Sequence, residues 1–414
     1  MDRIAKFRAA HYGLFIHWGA YAVRGFEASW PLVREDITWQ AYDDLANRFN
    51  PQKYDPVAWA ALAKAAGVQY AVLTTKHHDG FALYDTQLDD YSAPNRAAGR
   101  DLVREYVDAF RAAGILVGFY FSLCDWHHAD YPVALSPDRP GYTRKPHAVT
   151  PGAPASIEAD PARWDRYIEF MHGQVRELLT NYGEIDLLWF DGQWEHTADE
   201  WRSAELVEMI HTLQPNCIVN DRLADPSLGD YSTPEQYVPL TGLDRPWETC
   251  MTINEQWSYD PFDRAYKSPV ELLATFVEVT SKGGNFLINV GPNEDGEIPS
   301  EFASRLRVIG DWIAKNRESV FDVREGLPAG SYYGPSTGND TSLYLFAMGA
   351  TNGDELRVRG LTRRVTSASV LATGQPLAFE QHRRVLSHGF LRVHLPAELI
   401  DPLATVVKLE LEPA

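Results

Sequence analysis

Seven short, nearly continuous apolar runs, each closing on polar residues, constrain this chain more than any other feature: 12–19, 70–80, 116–126, 186–192, 217–222, 247–254 and 285–292. Runs without apolar–polar alternation are what the strands of a parallel sheet covered on both faces require. Between them lie segments of 3.6-residue periodicity at 55–66, 101–113, 162–182, 199–213, 269–281 and 301–317, read as amphipathic helices. Gly67 and Gly114 stand just past two of them, where a left-handed C-cap favours glycine. Strand–helix alternation of this length predicts an α/β fold, a (β/α)8-like barrel rather than an open sheet. The helix count falls short of eight, which allows an irregular barrel.

From about residue 330 the texture changes to short alternating strands at 342–347, 355–358, 367–371 and 406–411, separated by Gly, Asp and Asn turns. The expectation is a barrel domain over 1–329 and a small antiparallel β-sandwich over 330–414, packed together because no low-complexity linker separates them. A net charge of −19 disfavours nucleic acid and anionic lipid as partners. There is no uncharged apolar run long enough to span a bilayer, and residues 1–20 lack a secretory pattern. Cys124, Cys217 and Cys250 have no CxxC spacing and read as reduced, buried thiols. These features point to a cytoplasmic location. Oligomeric state stays open, a homo-oligomer included.

In barrel enzymes the catalytic groups sit at the C-terminal ends of the strands. Here those ends carry His17-Trp18-Gly19, Lys76-His77-His78-Asp79, Cys124-Asp125-Trp126-His127-His128, Trp189-Phe190-Asp191 and Asn220-Asp221-Arg222. Burying so many polar groups on one face without a use would cost desolvation energy. A metal site is disfavoured. No HxH or HExxH spacing occurs, and of two adjacent histidines on a strand only one is expected to face the mouth. Glycoside hydrolysis fits better, because it needs two carboxyl groups with aromatic and hydroxyl-binding neighbours. No metal or organic cofactor is expected.

The motifs YGLFIHWG (12–19), KHHDGF (76–81), GFYFS (118–122), LWFDG (188–192), NDR (220–222), WETCMTIN (247–254) and GGNFLINVGP (283–292) follow one another in the order of glycoside hydrolase family 29, the α-L-fucosidases, which this chain resembles over about its first 320 residues. The resemblance implies a (β/α)8-like barrel followed by a β-sandwich, and a retaining exo-α-L-fucosidase acting on a fucosylated glycan or small glycoside. It makes Asp191 the nucleophile. For the acid/base two glutamates fit. Glu235 lies in the loop after NDR and is preferred because a loop can carry the acid over the leaving group; Glu248 follows Trp247. Glu27, near an altered Glu-Trp position that reads Ala28-Ser29-Trp30 here, is a third candidate. By the same resemblance His17, Trp30, His77, His78, Tyr120, Trp189, Arg222 and Trp257 bind the sugar. Trp126-His127-His128 are expected at an aglycone subsite, with Asn285 and Asn289 structural. A related glycosidase acting on an α-L-galactoside, or a non-catalytic sugar-binding protein, is the alternative.

Overall fold

The computed structural model describes residues 2–35, 37–135, 144, 146–348, 355–385 and 388–413. Part of the Pro-rich loop after Asp125, at 136–143 and 145, thus lies outside the described residues. The first half of the barrel is built from α1 (Arg3–Ala10), β1 (Tyr12–Ile16), α2 (Pro31–Arg34), α3 (Trp39–Arg48), α4 (Pro56–Ala65), β2 (Tyr70–Lys76), α5 (Leu102–Ala112) and β3 (Leu116–Ser122). The second half follows as α6 (Pro161–Asn181), β4 (Leu187–Asp191), α7 (Ala198–Trp201), α8 (Ser203–Leu213), β5 (Ile218–Val219), β6 (Glu248–Thr252), α9 (Pro269–Ser281), β7 (Asn285–Val290) and α10 (Ser300–Asn316).

Each of the seven apolar runs supplies a strand, and all pair in parallel in the order β5-β4-β3-β2-β1-β7-β6. The two ends of this sheet, β5 and β6, do not pair with each other. Isolated parallel bridges Asn220–Tyr231, Ser232–Trp247 and Glu235–Cys250 fill the gap. Asp230 N donates to Val219 O at 2.7 Å on one side, and Cys250 N to Pro234 O at 3.1 Å on the other. Segment 230–236 thereby occupies the eighth barrel position without forming a regular strand, which is the physical content of the irregularity.

Strand parity sorts the side chains. Phe15, Tyr70, Val72, Tyr120, Leu187, Trp189, Ile218, Cys250 and Leu287 pack together inside the barrel, with Phe7 of α1 closing its lower end. The alternate positions, including Leu14, Leu73, Phe119, Phe190 and Ile288, join the layer beneath the helices. The helices start where local chemistry stops other conformations: Asp55, Asp101 and Asp160 cap α4, α5 and α6, and Ser268 with Glu271 forms a capping box on α9. The expected helix over 199–213 is two helices, because Arg202 takes φ +52° between α7 and α8. The sequence reading did not include α1, α2 or α3.

Beyond α10 a five-stranded sheet holds β8 (Arg324–Glu325), β9 (Ser336–Gly338), β10 (Ser342–Ala347), β12 (Val365–Val370) and β15 (Thr405–Leu411). A three-stranded sheet holds β11 (Glu355–Arg359), β13 (Phe379–Val385) and β14 (His388–His394). Leu343, Leu345, Leu356, Val358, Leu391, Val393, Val407 and Leu409 form the core between the two sheets. The opposite face of β10, Tyr344 and Phe346, packs with Trp312 of α10 in the barrel's own core, so one strand serves both units. The five-stranded sheet begins at β8, ahead of position 330.

Candidate active site

A cavity of about 400 Å³ opens at the C-terminal ends of the strands, lined by Phe15, His17, Trp30, His77, His78, Tyr120, Trp189, Asp191, Trp194, Arg222, Glu235 and Trp257. All eight expected sugar-binding residues are there, together with Asp191 and Glu235. A larger cavity beside α1, lined by Arg3, Lys6, Glu184 and Asp186, sits at the opposite end of the barrel, away from these groups.

Asp191 ends β4 with its side chain inward. Its Oδ2 accepts from the Tyr120 hydroxyl at 2.9 Å, and its Oδ1 accepts from Arg222 Nη1 at 2.9 Å. The second guanidinium nitrogen of Arg222, Nη2, donates to Glu235 Oε2 at 2.7 Å, and Nε donates to Thr233 Oγ1 at 3.1 Å. One arginine therefore holds both candidate catalytic carboxylates, an arrangement suited to its forked geometry. Burial works against the Arg222 charge, but Asp191 and Glu235 outweigh it and raise the guanidinium further above its ordinary value.

The three histidines are neutral. Burial pushes His17 and His78 down to about 3, and lowers His77 in the same direction. Their orientations follow from their partners. Asn289 Nδ2 donates to Trp257 O at 2.6 Å, which leaves Asn289 Oδ1 to accept from His17 Nδ1 at 2.7 Å. Ser122 donates to Cys124 O at 2.7 Å, so His78 Nδ1 donates to Ser122 Oγ at 2.8 Å. Both imidazoles thus keep Nε2 as an acceptor, and His78 Nε2 stands 3.8 Å from Asp191 Oδ2. Two acceptors at that spacing make a slot for a hydroxyl donor.

Both His77 and His78 line the cavity, which corrects the expectation that only one of the pair would face the mouth. β2 ends at Lys76, so the two histidines lie in the following turn, where strand alternation no longer applies. His127 and His128 stand elsewhere. His127 stacks on Tyr91 with ring centroids 3.6 Å apart and contacts Asp43 through Nε2 at 3.1 Å, while His128 packs on Phe170. Neither reaches the cavity, so the expected aglycone role finds no support in their placement. Trp126 is buried behind Trp30 and His78. Asn285 and Asn289 hold backbone carbonyls of Phe7 and Trp257.

Glu248 does not line the cavity. It is fully buried on β6, accepting from the Tyr70 hydroxyl at 2.5 Å and from Trp189 Nε1 at 2.9 Å. Burial lifts its carboxyl to about 7, against the pull of those two hydrogen bonds. Glu27 is likewise behind the wall, accepting from Trp257 N at 2.8 Å, with burial raising it to about 7. Phe15 and Trp194 were missed in the sequence. Phe15 could have been found from strand parity, two residues before His17. Trp194 lies in a 3₁₀ turn three residues past Asp191, for which periodicity carries no signal. Among the described residues no group of three or more His, Cys, Asp and Glu side chains is arranged to hold a metal ion.

A barrel of parallel strands with two carboxylates, neutral imidazoles and indoles around one small cavity is the architecture of a glycoside hydrolase. The family model for alpha-L-fucosidase matches residues 2–318, and the chain belongs to that family. It is 30% identical over 341 residues to the tissue alpha-L-fucosidase of Rattus norvegicus, an alignment covering 76% of this chain and 69% of the rat enzyme. Alpha-L-fucosidase isoenzyme 1 from Paenibacillus thiaminolyticus is 40% identical and superimposes with a TM-score of 0.88 over 99% of both chains. A family 29 alpha-L-fucosidase from Bacteroides thetaiotaomicron, crystallised as a trapped covalent intermediate with 2-fluoro-fucosyl fluoride, is 28% identical with a TM-score of 0.85, covering 100% of this chain and 97% of that one. The protein is an α-L-fucosidase, a glycoside hydrolase.

Proposed function

We propose that this enzyme removes terminal α-L-fucose with retention of configuration, with Asp191 as nucleophile and Glu235 as acid/base. The observation that carries the assignment is the shared guanidinium: Arg222 holds Asp191 and Glu235 together in the cavity, at 2.9 and 2.7 Å. A retaining mechanism asks for two carboxyl groups about 5–5.5 Å apart, and a single guanidinium gripping both suits that demand. The covalent intermediate trapped in the Bacteroides enzyme supports the same course.

In the first step an Asp191 oxygen attacks the anomeric carbon as the glycosidic C–O bond breaks. The leaving oxygen takes its proton from Glu235, which has left the guanidinium to reach it. In the second step Glu235 removes a proton from water, the water oxygen bonds to the anomeric carbon, and the Asp191 ester bond breaks. Glu235 suits both steps because its side chain is 39% exposed, on the solvent side of Asp191 at 12%. The sugar hydroxyls find acceptors at His17 and His78, while Phe15 and Trp257 supply an apolar patch for the C5 methyl group. A small cavity of about 400 Å³ suits one terminal residue, hence exo action.

The test is turnover of an aryl α-L-fucoside, with the matching α-L-galactoside as comparator, by wild type, Asp191→Gly and Glu235→Ala, with and without azide. Inactive Asp191→Gly, whose rescue by azide gives the inverted β-fucosyl azide, together with azide acceleration of Glu235→Ala giving the retained α-fucosyl azide, is expected. Azide rescue of Glu235→Ala to the opposite anomer would overturn the assignment, as would full activity of that variant.

A further inference from the structure

The mechanism leaves one ionisable group of the barrel interior unused. Glu248 is a carboxyl with no exposed surface, below the cavity floor, and each of its oxygens has one partner: Tyr70 O–H on Oε2 and Trp189 Nε1–H on Oε1. Trp189 is the floor itself. Arg222 lies over the indole, its guanidinium carbon 4.5 Å from the ring centroid, and Tyr120 stacks on the indole at 5.7 Å with an interplanar angle of 20°. Those two residues both donate hydrogen bonds to Asp191, and Arg222 also holds Glu235. Both groups that hold Asp191 therefore lie against one indole, whose single polar atom is fixed by Glu248.

Resting on the assignment of Asp191 and Glu235 above, we propose that Glu248 is a positioning residue that locks the Trp189 indole as the platform for Arg222 and Tyr120. Tyr70 completes the device. Its ring crosses β1 at Gly13, where a Cβ would stand 2.3 Å from the Tyr70 ring, so the hydroxyl reaches Glu248 only because that position has no side chain. Burial makes the arrangement specific, since an indole N–H without an acceptor in this interior drives the ring to another orientation. The burial-raised Glu248 titrates near neutrality, so it holds the indole as carboxylate or as carboxylic acid. The hydrogen bond, not the charge, is then what the site needs.

The test is a double-mutant cycle in kcat/KM on a 2,4-dinitrophenyl and a phenyl α-L-fucoside, using Glu248→Gln, Glu248→Leu, Trp189→Phe and the combinations. Glu248→Leu should lose about 10²-fold, in kcat rather than KM, equally on both substrates and without azide response. Glu248→Gln keeps an acceptor and should recover all but about tenfold of that activity. In the Trp189→Phe background neither Glu248 change should cost more than about threefold, because the contact is already gone. Should Glu248→Leu not fold, the cycle with Glu248→Gln decides alone. Multiplicative losses overturn the positioning role and leave Asp191 and Glu235 untouched. Losses confined to the phenyl substrate, with azide rescue, make Glu248 the acid/base and overturn Glu235 as well.

Discussion

Arg222 Nη2 donates to Glu235 Oε2 at 2.7 Å, while Nη1 of the same guanidinium donates to Asp191 at 2.9 Å. One cation thus grips both carboxyl groups that face the cavity. A lysine has one compact ammonium and cannot span both groups. Arg222→Lys should lower kcat/KM by about 10²- to 10³-fold, measured on an aryl α-L-fucoside.

Tyr120 donates to the other Asp191 oxygen and is itself held against Trp189 and His77. Removing only the hydroxyl should leave the stacking intact. Tyr120→Phe is expected to reduce kcat/KM by about 10- to 100-fold, the weight of a hydrogen bond to a charged group, with the melting temperature nearly unchanged.

Stability should depend on pH in a particular way. His17 and His78 titrate near 3 in the fold, against an ordinary value of 6.5. Below 6.5 the unfolded chain therefore binds protons that the fold refuses, and stability falls with falling pH down to about 3. Glu27 and Glu248 act the other way. They titrate near 7 in the fold against 4.5, so between those values the fold holds protons that the unfolded chain has lost. The two effects oppose one another between about 4.5 and 6.5, and of these four groups only the histidines still act below 4.5. Melting temperature should change little across the upper window and drop steeply below about pH 4.5. In Glu248→Gln the fall should begin nearer pH 6.5.

Gly13→Ala places a methyl group within 2.3 Å of the Tyr70 ring. The ring must move, and with it the Glu248 contact. A loss of about 1–3 kcal/mol of stability is expected by denaturant unfolding, together with lower kcat.

Trp312 on α10 donates from Nε1 to Ala404 O at 2.8 Å and packs against Phe346 of the C-terminal sheet. Trp312→Ala should cost about 3–5 kcal/mol and lower the melting temperature of the whole chain.

Much of this molecule could be read from its residues. The seven apolar runs became seven strands because a doubly covered parallel strand must be apolar throughout, a demand local enough to be legible. Helices with aspartate caps, such as α4 and α5, were legible for the same reason. α1 and α3 were not: the first is short and weakly amphipathic, and the second follows an irregular stretch. The eight expected sugar-binding residues, with Asp191 and Glu235, converge on one cavity because the ends of parallel strands must lie together.

The order of the chain alone determined which strands exist, which end of each carries chemistry, and that Asp191 closes a buried run. Only the tertiary structure placed Glu235 in the cavity and Glu248 outside it. Both follow Asp191 at similar separations, but 230–236 closes the barrel as an irregular eighth element and turns Glu235 toward Arg222, whereas β6 parity drives Glu248 into the interior beneath Trp189. Which face of an extended segment meets the cavity depends on its partners across the barrel, and those lie far away in sequence.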